Sequence, residues 1–341
     1  MAQSSNTHQR FPAPSRKAMA GQASACDPAL HEQMVRPWDL CHAPMERGEF
    51  RYRMRYLKLP GMTLYREVFD LRCRLHGASP VDMFAFSVPL GSSARSTYWG
   101  STLDASSMPA MLPGGLDVVL QPAHEQLVLL IDLSLMRSHL PADVMQGLEL
   151  AAAEHFLRAN REGLSSLRGW FCGLIDSANQ MPAMFQHPVV LRSVAEDALR
   201  LLERTVNLSL RTPPRPPCSL RQKGLRRALE YLRQASLENQ SIPEISRAAG
   251  VSQRTLEYAF RDVFGLTPLE FLKLQRLHAT RRDLLCASPQ EATVMAIAYR
   301  HGFYHPSRFA RNYRRLFGEQ PSVTLARSSR PDGRDLSPLL G

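Results

Sequence analysis

The sequence lacks the short motifs that mark the common classes of enzyme. It contains no G-x-S-x-G turn, no G-x-G-x-x-G loop and no G-x-x-x-x-G-K-[ST] loop, so the usual scaffolds for hydrolase, dinucleotide and P-loop chemistry are missing. His124 and Glu125 begin like a zinc-protease motif, but Val128 stands where the second histidine belongs. Three other histidines lie too far apart in the sequence for a metal-binding pair: His31, His42 and His76. We predict no catalytic residue and no metal site.

Paired cysteines and long apolar runs are also absent. The six cysteines form no C-x-x-C pair and have no histidine at zinc-finger spacing, which indicates a reducing compartment. No uncharged apolar run reaches the roughly 18 residues that a bilayer-spanning helix needs. Ala23, Ser24 and Ala25 resemble a signal cleavage site, but no apolar core precedes them. We predict a disordered leader over residues 1–30, a cytoplasmic location and no membrane partner.

The positive charge is concentrated in the C-terminal third of the chain. Of a net charge of +11 over 341 residues, residues 219–341 contribute +9, from 20 Lys and Arg against 11 Asp and Glu. A chain of this length has room for about two domains. The asymmetry predicts that the C-terminal domain binds nucleic acid or an anionic membrane. The alternative is a basic surface that is only solvated.

Residues 48–210 combine strand patterns with helix patterns. Alternating runs bounded by Pro and Gly predict antiparallel strands in FRYRMRYLKL, LYREVFDLRCRL, DMFAFSVPL and LDVVLQPAHEQLVLLIDL. Short strands of this kind close into a barrel or sandwich whose mouth can hold a small ligand. The runs ADVMQGLELAAAEHFLRANR and VVLRSVAEDALRLLERTV predict helices. We therefore predict a β-barrel-like sensor domain with a helical segment.

The second helical run has an apolar stripe whose members are Val194, Ala198, Leu201 and Leu202. Such a stripe belongs either to the core or to a dimerisation surface. The following TPPRPPC predicts a stiff linker at residues 211–218, because clustered prolines cannot continue a helix. Its P-x-x-P pattern leaves docking on a partner groove as an alternative.

One stretch of the C-terminal part occurs twice. GVSQRTLEYAFRDVFGLTP has a near copy in GFYHPSRFARNYRRLFGEQP, displaced by 52 residues at the opening glycine and by 53 after one inserted residue. In each copy a short helical run ends at Gly250 or Gly302, where a left-handed backbone ends a helix. A second run follows, with Ser252 as the predicted N-cap in the first copy. Helix, glycine turn and helix form a helix-turn-helix, whose second helix enters the major groove of DNA.

The second helix of each copy has an apolar face and a polar, mostly basic face. The apolar stripes are Leu256, Ala259, Phe260, Val263 and Phe264 in the first copy, and Phe309, Tyr313, Leu316 and Phe317 in the second. Because the glycine, the spacing and both stripes recur, we predict two helix-turn-helix motifs in an all-α domain over residues 219–326. The alternative is a helical bundle whose polar faces are only solvated.

Between the copies, residues 268–285 lack internal Pro and Gly and are rich in helix formers. A helix of this length spans about 27 Å, which approaches the roughly 34 Å of one DNA turn. We predict a rigid helix that sets two reading helices into successive major grooves on one face of the duplex.

Residues 219–326 resemble the DNA-binding domain of the AraC/XylS family of bacterial transcription regulators. The resemblance rests on E-I-S-R-A-A-G-V-S-x-R-T-L, F-G-L-T-P, L-x-x-x-R-L-x-x-x-R-R-x-L and I-A-Y-R-H-G-F…F-G-x-x-P. It implies base contacts by Arg254, Glu257, Tyr258, Ser307 and Arg311. The candidates for phosphate contacts are Arg261, His305, Arg308, Arg314 and Arg315.

The second reading helix departs from the family pattern at Pro306, Ala310 and Asn312. We expect this helix to read mostly DNA backbone and shape.

Four further stretches resemble the ethanolamine-utilisation regulator subgroup: GEFRYRMRYLKL, LYREVFDL, ATVMAIAYRHGF and EQPSVTLA. This resemblance implies an activator that senses a small amine or amino alcohol such as ethanolamine, with cobalamin as a further effector and no other cofactor. We predict double-stranded DNA, a small-molecule effector and RNA polymerase as partners, and a homodimer. The predicted class is α+β, with a disordered tail over residues 327–341.

Two other classes of function compete with this interpretation. An enzyme with a DNA-binding appendage would show a stoichiometric metal in a native mass spectrum. A protein-interaction adaptor would not need +9 beside a duplicated helix-turn-helix, and its affinity for DNA would not fall sharply with added salt.

Overall fold

The computed structural model describes residues 18–90, 96–103, 106–206, 220–234, 240–290 and 292–328. They form an N-terminal domain of sheets and helices and a C-terminal helical domain, so the predicted α+β class is confirmed at this level. Within these ranges no helix combines the length and the apolar character needed to cross a bilayer. The predicted linker and most of both predicted disordered ends lie outside the described residues.

The N-terminal domain contains antiparallel strands that pair into two sheets. In chain order the described strands are β1 (Met19–Ala25), β2 (Asp39–Pro44), β3 (Tyr52–Leu59), β4 (Met62–Phe69), β5 (Cys73–Ala78), β6 (Met83–Leu90), β7 (Thr97–Tyr98), β8 (Ser101–Thr102), β9 (Ser107–Met111), β10 (Gly115–Leu120), β11 (His124–Asp132) and β12 (Phe156–Arg158). One sheet has the order β1-β3-β4-β11-β6-β9-β12 and the other β2-β5-β10-β7-β8. Because the described strands form two separate sheets, a closed barrel is not confirmed.

The larger sheet separates two cores, because successive residues of a strand point to opposite faces. In β4, Tyr65 and Phe69 pack between the two sheets. Met62 and Leu64 pack on the other face, against helices. The domain is thus layered as sheet, sheet and helices, and the space between the sheets is where a ligand site could lie.

The helical layer is formed by five segments after β11. They are α2 (Leu133–His139), α3 (Ala142–Ala153), α4 (Arg161–Gln180), a short 3-10 helix (Pro182–Gln186) and α5 (Pro188–Thr205). The remaining helix of this domain, α1 (Pro28–Met34), lies earlier in the chain, between β1 and β2. Val194, Ala198 and Leu202 of α5 are buried in the core. The stripe on this helix is therefore core, and it is not free to form a dimer surface.

Two predictions about the N-terminal half are wrong. Residues 18–30 are not a disordered leader, because β1 pairs along its whole length with β3 and Asp27 caps α1. The predicted helix 142–161 ends at Ala153, and β12 then pairs with β9. In both places the structure depends on pairing with a strand that is distant in sequence. Local propensity carries no information about such pairing. The domain accordingly includes the described residues 18–47, which the prediction had left outside it.

The C-terminal domain consists of α6 (Leu220–Gln234), α7 (Ile242–Ala249), α8 (Gln253–Phe264), α9 (Pro268–Cys286), α10 (Val294–Arg300), α11 (Pro306–Phe317) and α12 (Pro321–Ser328). One core joins α6, α7, α8 and the start of α9, and a second joins the rest of α9 with α10, α11 and α12. The predicted continuous helix over residues 268–285 is confirmed as α9, which starts at a capping box between Thr267 and Glu270. The helical domain extends to Ser328, two residues into the predicted tail, because α12 packs on α9.

The two domains touch through α8 and α9. The Nε2 atom of His278 lies 3.1 Å from the carbonyl oxygen of Pro44. Arg281 bridges Asp27 of the N-terminal domain and Glu319 of the C-terminal domain. These contacts place the helix that separates the two helix-turn-helix motifs directly against the N-terminal domain.

Candidate nucleic-acid interface and buried cavity

The first helix-turn-helix is formed by α7 and α8. A capping box between Ser241 and Glu244 starts α7, and Gly250 ends it with a φ of 66°. Ser252 then accepts a hydrogen bond from the backbone N–H of Thr255 and starts α8, as predicted. The apolar stripe of α8 is buried, so its polar face is turned outward.

The second helix-turn-helix repeats this geometry in α10 and α11. Gly302 has a φ of 77° in the turn, and Pro306 occupies the first turn of α11, where a missing N–H costs nothing. Phe309 and Tyr313 are buried, and the hydroxyl of Tyr313 donates to Thr324 of α12. Both predicted motifs are present.

On α8, the residues predicted to contact DNA form pairs with one another. The guanidinium of Arg254 lies 5.7 Å from the ring centroid of Tyr258, and it donates to the Tyr258 hydroxyl at 3.3 Å. Glu257 is paired with Arg261 at 3.1 Å, one helical turn away. An exposed pair of this kind contributes at most about 1 kcal/mol. Because so little free energy is lost when such a pair separates, either side chain can form a contact with DNA instead.

On α11, the basic side chains have no acidic partner. Ser307, Arg308, Arg311, Arg314 and Arg315 are exposed, as is His305 at the start of the helix. Within the described part of the chain, none of these four arginines forms an ion pair. The outer face of α11 therefore carries uncompensated positive charge, as a phosphate-binding surface requires.

Lys273 of α9 belongs to the same basic surface, although no motif or spacing in the sequence pointed to it. Partial burial lowers its pKa, and the positive charges of Arg308, Arg315 and Arg311 lower it further. Lys273 thus lies close to α11 in space, while more than 30 residues separate it from that helix in the sequence. Only the packing of α9 reveals this neighbour.

Substitutions on the two reading helices should have different effects. Because Arg254 lies in the first turn of α8, Arg254→Ala should weaken specific binding by about 1 to 3 kcal/mol and relax the preference at one base position. Arg314→Ala or Arg315→Ala should weaken binding to all sequences alike and reduce the salt slope by about one unit.

The measurement is a set of binding curves for each variant on the operator, on single-base changes of it and on unrelated DNA, at several salt concentrations. Arg200→Ala is the matched control, since Arg200 is an exposed arginine of α5, outside both reading helices. Equal loss of base preference from all these arginine substitutions would refute the assignment of roles.

A cavity of about 60 Å³ lies between the two sheets of the N-terminal domain. Polar side chains from α1, β2, β4 and β11 reach its wall: His31, His42, Glu67 and Gln126. Ser87 also lines the wall, and the remaining residues are apolar or aromatic and include Trp38, Phe69, Phe86, Met111 and Val128. The ring centroids of His31 and His42, far apart in sequence, are 4.1 Å apart. His31 and His42, which the sequence analysis treated as too far apart to form a pair, are therefore neighbours in the folded chain.

Glu67 is the centre of a buried hydrogen-bond network. Its carboxylate accepts from the Gln126 amide at 2.6 Å and from the Tyr52 hydroxyl at 2.9 Å. Burial nevertheless raises the pKa of Glu67 to about 7, since the two donors offset only part of the desolvation. Burial also lowers the pKa of His31 and of His42, so both rings are neutral at neutral pH.

Glu67→Gln should make the stability of the chain less dependent on pH. Because the folded state favours the protonated carboxyl, the native chain loses stability as the pH rises from the unfolded pKa of 4.5 to the folded pKa of about 7. Relative to the variant, this loss should be about 2 to 3 kcal/mol between about pH 5 and pH 8.

Urea unfolding of both proteins at the two pH values measures this difference. The neighbouring groups Tyr52, Tyr65, His31 and His42 are present in both proteins, so their own titration largely cancels. An identical pH dependence of the two proteins would show that Glu67 is not held protonated by burial.

Comparisons with known proteins agree with the duplicated motif. The helix-turn-helix domain family matches residues 245–327. Over 153 residues, 45% of this chain and 46% of its relative, the chain is 33% identical to the probable thc operon regulatory protein of Rhodococcus erythropolis. Over 176 residues, 52% of this chain and 50% of its relative, it is 28% identical to the XylDLEGF operon transcriptional activator 1 of Pseudomonas putida. The chain spans about half the length of these curated relatives.

A solved structure is also similar to part of the chain. This protein, a probable AraC family transcriptional regulator from Rhodopseudomonas palustris CGA009, is 34% identical to the chain, with a TM-score of 0.29. The match covers 31% of this chain and 96% of that one. The family match and the identity to these curated regulators support a DNA-binding domain of the AraC/XylS type in the C-terminal part of the chain.

Proposed function

We propose that the chain is a sequence-specific DNA-binding regulator that activates transcription in response to a small molecule. The observation that carries the proposal is the pair of helix-turn-helix motifs held apart by α9, with uncompensated arginines on the outer face of α11. In support of activation, relatives from Pseudomonas putida are named transcriptional activators.

In this proposal the two reading helices have different tasks. The first, α8, contacts base edges through Arg254, Glu257 and Tyr258, near its N-terminal end. The second, α11, contacts mainly phosphates, with Lys273 adding a charge from α9. Double-stranded DNA is the primary partner, and RNA polymerase and a second copy of the chain are further proposed partners.

The proposed effector is a small amine or amino alcohol such as ethanolamine, after the subgroup that the sequence resembles. The cavity between the sheets supports a small ligand, because its wall is largely apolar and carries unpaired polar atoms. Cobalamin does not fit this cavity, since a corrin macrocycle is far larger than about 60 Å³. The proposal therefore includes no cobalamin at this site.

A fragment of residues 219–341 should bind DNA without the N-terminal domain. Both reading helices, α9 and a net charge of +9 lie inside it. Titration at several salt concentrations should show a logarithmic slope near −0.9 for each phosphate contacted. A folded fragment that fails to bind DNA at low salt would contradict the assignment of function to this domain. Salt-independent binding would favour a protein-interaction adaptor.

A further inference from the structure

We propose that α6 is a third DNA-contacting element, and that Arg221 and Arg227 on it bind backbone phosphates beside the base pairs read by α8. This inference rests on the proposed function and deepens it, because it adds a contact surface for the same DNA partner. The family motifs begin at Glu244, so none of them includes α6. The inference is carried by the charge of α6, by its packing and by the position of the two arginines.

The sequence of α6 is basic. LRQKGLRRALEYLRQ contains five Lys and Arg residues and one acidic residue, Glu230. Arg221 and Arg227 are both exposed. Within the ranges that the structure describes, Arg227 forms no ion pair, and Arg221 pairs at 3.4 Å with the exposed carboxylate of Asp262. Because an exposed ion pair contributes little free energy, both guanidinium groups can bind phosphate instead.

The apolar face of α6 fixes this helix on the first helix-turn-helix. Four of its side chains are buried in the core that it shares with α7 and α8: Leu225, Ala228, Leu229 and Leu232. Gly224 lies against the turn, since a Cβ on it would come within 2.8 Å of the Val251 side chain. Glycine is less favourable than alanine inside a helix, and this close approach explains its presence. The basic side chains of α6 therefore start from a fixed position relative to the reading helix.

Arg221 lies beside the reading helix. Its guanidinium carbon is 5.1 Å from the ring centroid of Tyr258, which is a predicted base contact. The pair with Asp262 extends this contact by one further turn of α8. The major groove is about 12 Å wide, so a cation beside a side chain in the groove lies close to one of its phosphate edges. A guanidinium suits such a phosphate because it can donate two parallel hydrogen bonds.

Arg227 lies beside the turn between α7 and α8. A Cβ on Gly250 would be 3.1 Å from the Nη1 atom of Arg227. This turn leads into the N-terminal end of α8, the end of a reading helix that meets base edges. Arg221 and Arg227 are separated by about 9 Å along α6. Because phosphates follow one another about every 3.4 Å along one DNA strand, the two arginines can bind different phosphates.

Arg226 provides the contrast on the same helix. Its side chain lines a cleft between α6 and the N-terminal domain, together with Trp99 and Asp117. Successive side chains of a helix point about 100° apart. Arg226 and Arg227 therefore carry the same charge in different directions, one toward the N-terminal domain and the other toward the turn.

The test measures binding of the full chain to operator DNA and to unrelated DNA between about 50 and 200 mM salt. Arg221→Gln and Arg227→Gln should each reduce the slope of log affinity against log salt by about 0.9, as the loss of one phosphate contact requires. Affinity at about 0.1 M salt should fall about 5- to 10-fold on both DNAs. Arg226→Gln removes the same charge from the other side of α6 and should change the affinity less than about 2-fold.

Two controls separate phosphate contact from indirect effects. Arg227→Lys keeps one positive charge at this position and should retain most of the native salt slope. Because Arg221→Gln also leaves Asp262 without its partner, this substitution is repeated in an Asp262→Asn background, where the reduction of the slope should persist. Alanine variants replace any glutamine variant that does not fold.

Equal effects of Arg226→Gln and Arg227→Gln, or a native slope in both folded Arg221→Gln and Arg227→Gln, would overturn the inference. Arg314→Ala on α11 is measured in the same series. If the native chain prefers its operator and Arg314→Ala reduces the slope while the α6 variants do not, this inference alone fails. If the native chain does not bind its operator in preference to unrelated DNA, the proposed function fails.

Discussion

Inserting roughly 5 bp between the two boxes of the operator should lower the affinity of the full chain on the order of 100-fold. The insertion turns the second box by about half a turn, so that α8 and α11 no longer meet major grooves on one face. Affinity then falls toward that of one helix-turn-helix, because the second contact gains nothing from being tethered. The length of α9 is the physical basis, since its 19 residues span about 29 Å as a continuous helix.

A full-turn insertion separates this explanation from its alternatives. About 10 bp restores the face but adds about 34 Å, which a continuous helix cannot bridge, so affinity should stay low. A flexible connector, or two subunits of a dimer that each supply one reading helix, would restore binding at the full turn. Binding curves for the native, half-turn and full-turn operators decide the question. Recovery at the full turn would disprove the rigid spacing by α9.

Arg281→Ala should lower the free energy of unfolding by about 3 kcal/mol. The Arg281 side chain is only 10% exposed, and it pairs with Asp27 and Glu319 at once. Its guanidinium also lies 4.9 Å from the ring centroid of Phe317. Removing it leaves two carboxylates without their shared cation. We place the effect at the lower end of the usual range because Asp27 is 25% exposed and Glu319 keeps a second partner, Arg327.

Arg327→Ala is the matched control for this prediction. Arg327 pairs with the same Glu319, but its side chain is 54% exposed, so its removal should cost less than about 1 kcal/mol. Urea unfolding of the native chain and both variants, at one pH and salt concentration, provides the comparison. Equal losses in the two variants would show that Arg281 acts as an ordinary surface charge.

The parts of the fold that the sequence predicted correctly depend on residues close in the chain. The glycine turns at Gly250 and Gly302, the cap at Ser252 and the apolar stripes of α8 and α11 are local patterns of helical period. Their repetition made the prediction specific. The continuous helix α9 followed for the same reason, since Pro268 begins it and neither Gly nor Pro interrupts it.

What the sequence did not predict depends on contacts between distant segments. Small residues of β1 form an edge strand only because β3 offers a partner. The cavity brings together His31, His42 and Glu67 from three elements, and no spacing in the chain reports their proximity. Lys273 joins the basic surface through helix packing. Side chains that converge only after folding leave no periodic signal in the sequence.

In the strands β5 and β10, residues that line the cavity are followed or preceded directly by residues that face the DNA-binding domain. Leu75 and Val118 line the cavity, while their chain neighbours Arg74 and Asp117 form an ion pair that places the Arg74 guanidinium 4.8 Å from the ring centroid of Phe271 in α9. A strand cannot shift on one face without shifting on the other. Thermodynamic linkage then requires reciprocity: by whatever factor an occupant of the cavity weakens the contact between the domains, that contact weakens the affinity for the occupant. Residues outside the cavity wall would thereby help to set the affinity of the cavity for its occupant.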